Sequence, residues 1–123
     1  MAQRRGSGGA PRALEAVLWK KESRGPLGAK WARKLVVVER GHVRYHLANQ
    51  KSDQVPRKIF RLASMTLTPD VRGPKQAPHA FELKDAETGY LLVLACDRGV
   101  NEHRAFCSVL APLCAGGARR RRN

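Results

Sequence analysis

The stretch LWKKESRGPLGAKWARKLVVV, residues 18–38, sets Lys20, Lys21, Arg24, Lys30, Arg33 and Lys34 around a single acid, Glu22. Cations at this density bind anions. Lysine does so as a mobile point charge, whereas arginine grips a carboxylate or phosphate with two parallel donors. Elsewhere the chain offers little chemistry. The four histidines (His42, His46, His79, His103) and three cysteines (Cys96, Cys107, Cys114) are dispersed, without metal-ligand spacing. No CxxC, HExxH or phosphate-cradling glycine loop occurs. Asp85 and Glu87 share one hairpin loop, where solvation is the simplest reading, and Cys107 and Cys114 read as packing thiols on a helix. No constellation supports catalysis, so a non-enzyme with no metal or cofactor is expected.

The 123 residues carry a formal net charge of +14, which favours polyanionic partners: nucleic acid, an anionic membrane or an acidic protein. The charge is segregated. Arg4, Arg5, Arg12 and Arg119–Arg122 lie in end segments that contain no acid. Between Leu14 and Leu62 twelve basic residues stand against four acids, and from Ala63 to Ala118 five stand against six. Residues 1–13 and 116–123 are expected to be basic disordered arms around one domain at 14–115. An odd number of cysteines argues against a disulfide framework and for a reducing, intracellular location. The longest apolar run lies in YLLVLAC, too short to span a bilayer, and the start MAQRRGSGGAPR lacks the apolar core of a secretory signal.

The elements that must position the cations are short strands. LEAVLWKK (14–21), WARKLVVVE (31–39) and HVRYHL (42–47) have β-branched and aromatic content, with Gly41 available for a tight turn. KIFRL and SMTL are further strand candidates on either side of Ala63. TPDVRGPKQAP (68–78) is expected to be loop, because it holds three prolines and a glycine. HAFELK and YLLVLAC flank DAETG as a hairpin. After Gly99, Ala105, Phe106, Val109, Leu110 and Leu113 form a helical stripe, with Asn101 as expected N-cap, Glu102 in the first turn and an end near Ala111, before Pro112. Seven strands and one amphipathic helix predict a mostly β domain: a partly open seven-stranded barrel of two near-orthogonal antiparallel sheets, capped by the C-terminal helix.

Side chains alternate along a strand, so Leu14, Ala16, Leu18 and Lys20 share one face, as do Lys34, Val36 and Val38. If the apolar sets face the core, Lys20 and Lys34 lie on inward rows at one rim. Dry and unpaired, two ammonium groups there would be costly; in a wet pocket holding an anion they are favourable. Arg33 faces the other side, toward a surface. Trp31 reads as a packing residue covering the barrel end. Leu27, at the loop tip, is placed to meet a bilayer, although a lone exposed leucine is ordinary.

The order EAVLWKK, KWARKLVVVERGHVRYH, VPRKIFRL, FELKD, YLLVLAC and a final helix, over residues 14–114, resembles a pleckstrin homology (PH) domain. Leu18 and Lys20 match the family's strand-one pattern, and Trp31 with Lys34 matches the start of strand two. Tyr45 half matches a tyrosine pair, with His46 in the other place, and Phe81 with Leu83 matches strand six. The resemblance implies a phosphoinositide-binding site in which Lys20, Lys34, Tyr45 and Arg57 hold the headgroup. Lys21, Arg24, Lys30 and Arg33 are auxiliary, membrane-surface candidates. Three departures stand out: Ala32 occupies a position usually basic, Lys34 stands where arginine is usual, and Phe106 replaces a helix tryptophan.

The reading that follows is a non-catalytic, monomeric, cytoplasmic domain, peripheral to a membrane, that binds anionic phospholipid or phosphoinositide. A protein-interaction module on the same barrel is the alternative. Nucleic-acid binding ranks third, because the aromatics do not interleave with the cations as a stacking track would.

Overall fold

The computed structural model describes residues 14–25 and 28–115, with Ser23–Gly25 described as backbone alone. The two basic arms, the Leu27 tip and the Arg24 side chain therefore lie outside the described residues. The strands are β1 (Leu14–Gly25), β2 (Gly28–Glu39), β3 (His42–Leu47), β4 (Lys58–Arg61), β5 (Met65–Arg72), β6 (His79–Asp85) and β7 (Leu91–Ala95), followed by helix α1 (Val100–Leu110). A short 3₁₀ turn at Leu62–Ser64 joins β4 to β5. Among the described residues these strands form one open antiparallel sheet, in the order β4-β3-β2-β1-β7-β6-β5. The two expected sheets are thus continuous, joined where β1 pairs with β7 through Trp19↔Ala95 and Lys20↔Leu94.

The first hairpin is longer than the sequence suggests. Its ladder continues through Arg24↔Ala29 to Gly25↔Gly28, so most of the expected cationic loop is strand. At the next turn Arg40 (φ 54°) and Gly41 (φ 76°) both take the left-handed region, between paired Glu39 and His42. Two positive φ values define the turn whose twist suits a two-residue hairpin, and Gly41 adopts one without a Cβ clash.

The core lies inside the curve of the sheet. Leu18, Val36, Val38, Val43, Tyr45, Phe81, Leu83, Leu92 and Leu94 converge there with Phe106, Leu110 and Cys114. Phe106 stacks on Phe81 with ring centroids 5.9 Å apart. Cys107 packs at the edge of this core. Burial pushes the Cys107 thiol up to about 11 and that of Cys96 to about 12, so neither is a thiolate at neutral pH.

The expected helical stripe is rotated. His103, Phe106 and Leu110 are the buried helical residues, while Val109 and Leu113 are exposed. His103 occupies the inner face because its Nε2 lies 2.6 Å from the Pro69 carbonyl and 3.1 Å from that of Ala80, which satisfies a buried polar ring. The N-cap is Gly99 rather than Asn101, and Glu102 accepts the Arg98 backbone N–H at 3.0 Å. The expected loop at 68–78 is also partly strand. Pro69 is tolerated in β5 because that strand is an edge and bulges between Thr68 and Val71. Asp85 is buried rather than solvated: it accepts from the Thr88 hydroxyl at 2.7 Å and the Thr88 N–H at 3.2 Å, closing the hairpin turn. Glu87, as expected, is exposed. No helix among the described residues is long and apolar enough to cross a membrane.

β2 is buried on both faces from Leu35 to Val38. On its outer side Arg44 binds Glu39 at 2.8 Å and reaches the Ser52 carbonyl at 3.1 Å, tying down the β3–β4 connection. Beneath lies His46, fully buried, its Nε2 accepting from Arg44 at 3.2 Å. Burial, reinforced by the Arg44 charge, holds this imidazole below its ordinary pKa. The unfolded chain takes the proton at about pH 6.5 and the fold resists it, so stability is full above that pH and declines as pH falls through it. Urea midpoints are expected to drop between pH 7.5 and 5.5, and His46→Leu should flatten that slope.

Candidate functional site

At one rim, β1 and β2 deliver the inward cations. Leu18 lies opposite Lys34, and Lys20 lies opposite Ala32, so the two lysines sit diagonally on the inner face. Lys20 is only 4% exposed. Its ammonium lies 5.1 Å from the centroid of Tyr45 and 5.7 Å from that of Tyr90, and the two phenol oxygens are 3.4 Å apart. Aromatic faces stabilise a desolvated cation in this arrangement. Arg57 immediately precedes β4, its N–H donating to the Tyr45 carbonyl at 2.8 Å. Lys58 pairs across from Tyr45 and lies 5.1 Å over the Tyr90 ring.

The charge on Lys20 is already matched. Its Nζ donates to Glu22 Oε2 at 2.9 Å, with a longer contact of 3.4 Å to the Lys21 carbonyl. Glu22 reaches it because β1 carries a bulge between Lys21 and Ser23, which leaves Glu22 as the extra residue of the ladder. Bulges re-aim side chains in this way. Burial by itself pulls the Lys20 ammonium down, but Glu22 and Tyr90 outweigh it and hold its pKa above the ordinary lysine value. The hydrogen bond from Lys20 holds the Glu22 carboxyl low against the opposing effect of burial, and the charges of Lys20, Lys34 and Arg57 act in the same direction. Burial, then the Tyr90 hydroxyl, pushes the Tyr45 phenol far up, so it stays protonated. Lys20 is therefore in contact with both Tyr45 and Glu22, while Lys34 lies diagonal to it on the same face and Arg57 is tied to Tyr45 through its backbone.

The auxiliary residues are dispersed. Lys21 is half-buried and Lys30 exposed. Arg33 does lie on the opposite face, but it is tied down there: it binds Asp97 at 2.9 Å and stacks on Trp19 at 4.8 Å, while the Trp19 indole donates to the same carboxylate at 3.0 Å. The neighbouring cleft, of about 280 Å³, is lined by Glu15, Asp97 and Glu102 as well as Arg33 and Arg98, and its acids disfavour an anion. Trp31 packs with Trp19 against Ala77, Ala80 and Ala95. No group of three or more potential metal ligands occurs among the described residues.

Sequence reasoning missed Glu22, Lys58 and Tyr90. Tyr90 and Lys58 open the strand candidates YLLVLAC and KIFRL, but their convergence on Lys20 depends on which strands face each other. Glu22 shares the parity of Lys20, yet the bulge that turns it onto the ammonium has no signature in one sequence.

No family model and no curated protein matches the chain. Solved structures do. The PH domain of human oxysterol binding protein-related protein 11 superposes with a TM-score of 0.64 at 22% identity, over 85% of this chain and 82% of that one. The C-terminal PH domain of pleckstrin, in complex with D-myo-Ins(1,2,3,5,6)P5, gives 0.64 at 14% identity over 81% and 92%. The Slm1 PH domain, in complex with inositol-4-phosphate, gives 0.63 at 17% over 83% and 95%. With seven antiparallel strands in one open sheet and a C-terminal helix, the chain has the fold of a pleckstrin homology domain.

Proposed function

We propose that this domain is a non-catalytic recruitment module that binds anionic lipid headgroups, phosphoinositides in the first place, at the rim formed by β1, β2 and the start of β4. The observation that carries this reading is the buried Lys20 ammonium at the rim, with Lys34 diagonal to it on the same inner face and Arg57 tied by its backbone to Tyr45 beside it. Structural neighbours that hold inositol phosphates support it. Each cation near an anionic surface contributes about 1 kcal/mol, so a few suffice for reversible recruitment. Sedimentation with phosphatidylcholine vesicles, with and without a phosphoinositide, tests it. Binding is expected only to the phosphoinositide vesicles, weakening as salt rises and competed by soluble inositol phosphate.

A protein-interaction role on the same fold is the second reading, favoured by the internal neutralisation of Lys20 by Glu22. It predicts a partner retained at high salt and indifference to every vesicle. A DNA or RNA shift stronger than vesicle binding at equal salt would overturn both.

A further inference from the structure

The Lys20–Glu22 ion pair is lopsided. The Lys20 side chain is 5% exposed and that of Glu22 37%. Lys20 stands in regular register opposite Ala32, its ammonium beside Tyr45 and Tyr90. Glu22, the extra residue of the bulge, has no cross-strand partner in the register. The cation is anchored inside and the anion is hinged at the opening. A buried ammonium requires a counter-charge, and here the chain supplies its own at 2.9 Å. Lys34 shares the inner face, diagonal to Lys20, and Arg57 is tied by its backbone to Tyr45 beside the ammonium.

We propose that Glu22 is a displaceable internal counter-anion, which a phosphomonoester must replace on Lys20 in order to occupy the site. This rests on the reading of the rim as a headgroup site and adds a charge threshold to it. A phosphodiester or carboxylate brings one negative charge, so it exchanges with Glu22 like for like. A phosphomonoester carries close to two and offers three acceptor oxygens, enough to engage Lys20, Lys34 and Arg57 together. Ala32, directly across from Lys20, extends nothing beyond its Cβ into that space. Phosphoinositide headgroups and soluble inositol phosphates share this chemistry.

The test compares the full chain with Glu22→Gln, which keeps the shape and removes the charge. Inositol hexakisphosphate is titrated by calorimetry, and vesicles of phosphatidylcholine with either phosphatidylserine or a phosphoinositide are sedimented at fixed salt. Glu22→Gln should bind inositol hexakisphosphate about tenfold tighter, since the ligand no longer breaks a charge-assisted hydrogen bond. It should also gain affinity for phosphatidylserine vesicles. In the unaltered chain the carboxylate resonance of Glu22 should shift on titration while that of Glu15 stays. Glu22→Ser provides the same comparison if the glutamine variant does not fold. Equal or weaker binding by a folded variant overturns the proposal, and an unmoved Glu22 resonance at saturation does the same. Tighter inositol hexakisphosphate binding with no vesicle binding keeps the counter-anion and removes the membrane. Equal vesicle and inositol hexakisphosphate binding by both proteins keeps the membrane and removes the counter-anion. No binding of any ligand by either protein overturns both.

Discussion

Replacing Lys20 by Met and Lys34 by Ala together is expected to lower affinity for phosphoinositide vesicles by about 30-fold, the combined effect of two cations at an anionic surface. The methionine keeps an unbranched apolar stem beside Tyr45 and Tyr90, so packing around the buried position is largely retained. The loss has two parts. The headgroup forfeits two positive partners, and Glu22, which Lys20 neutralises at 2.9 Å, is left as an uncompensated negative charge facing the ligand. Vesicle sedimentation at fixed salt, with circular dichroism to confirm the fold, measures it. A chain without residues 1–13 and 116–123 is the control, because those segments hold seven arginines and no acid. If removing the arms abolishes binding while the double substitution leaves it unchanged, attraction is general and the rim is not a site.

The second large effect concerns the helix. Phe106→Ala removes a ring that is 1% exposed and stacked on Phe81, which should cost about 3–5 kcal/mol through lost burial and the cavity left behind. Against a total stability of roughly 5–15 kcal/mol this is a large fraction. It should lower Tm by roughly 12 °C or more, at about 4 °C or more per kcal/mol for a domain of this size. Leu113→Ala, at a position 41% exposed, should move Tm by only a few degrees, at an expected cost of about 0.5 kcal/mol. The pair of measurements tests the observed burial: equal losses would mean that Leu113 lies in the core, as its place in the sequence stripe suggests.

That stripe shows where local reading ends. Phe106 and Leu110 belong to both the expected and the observed buried faces, but Val109 and Leu113 do not. Their neighbour His103 turns inward because two carbonyls, from β5 and β6, meet its ring. Those acceptors are 34 and 23 residues away, and no periodicity within the helix encodes them. Pro69 and Asp85 teach the same lesson. A proline was compatible with β5 because that strand is an edge with a bulge, and a carboxylate was compatible with burial because Thr88 folds back onto it.

What the sequence determines by itself is what repeats locally: the alternation that puts Lys20 and Lys34 on inward rows, the Gly41 turn, the cation-rich first half and the strand-then-helix order. Period-two alternation is a property of one strand and survives any packing. Tertiary structure alone decides that Tyr45, Tyr90, Arg57 and Lys58 gather at that rim, that Arg33 is tied to Asp97, and that Glu22 stands on Lys20. The physical reason is that charge pairing falls off with distance through space rather than along the chain. A single extra residue in the β1 ladder therefore settles whether the buried lysine faces the opening bare or already paired.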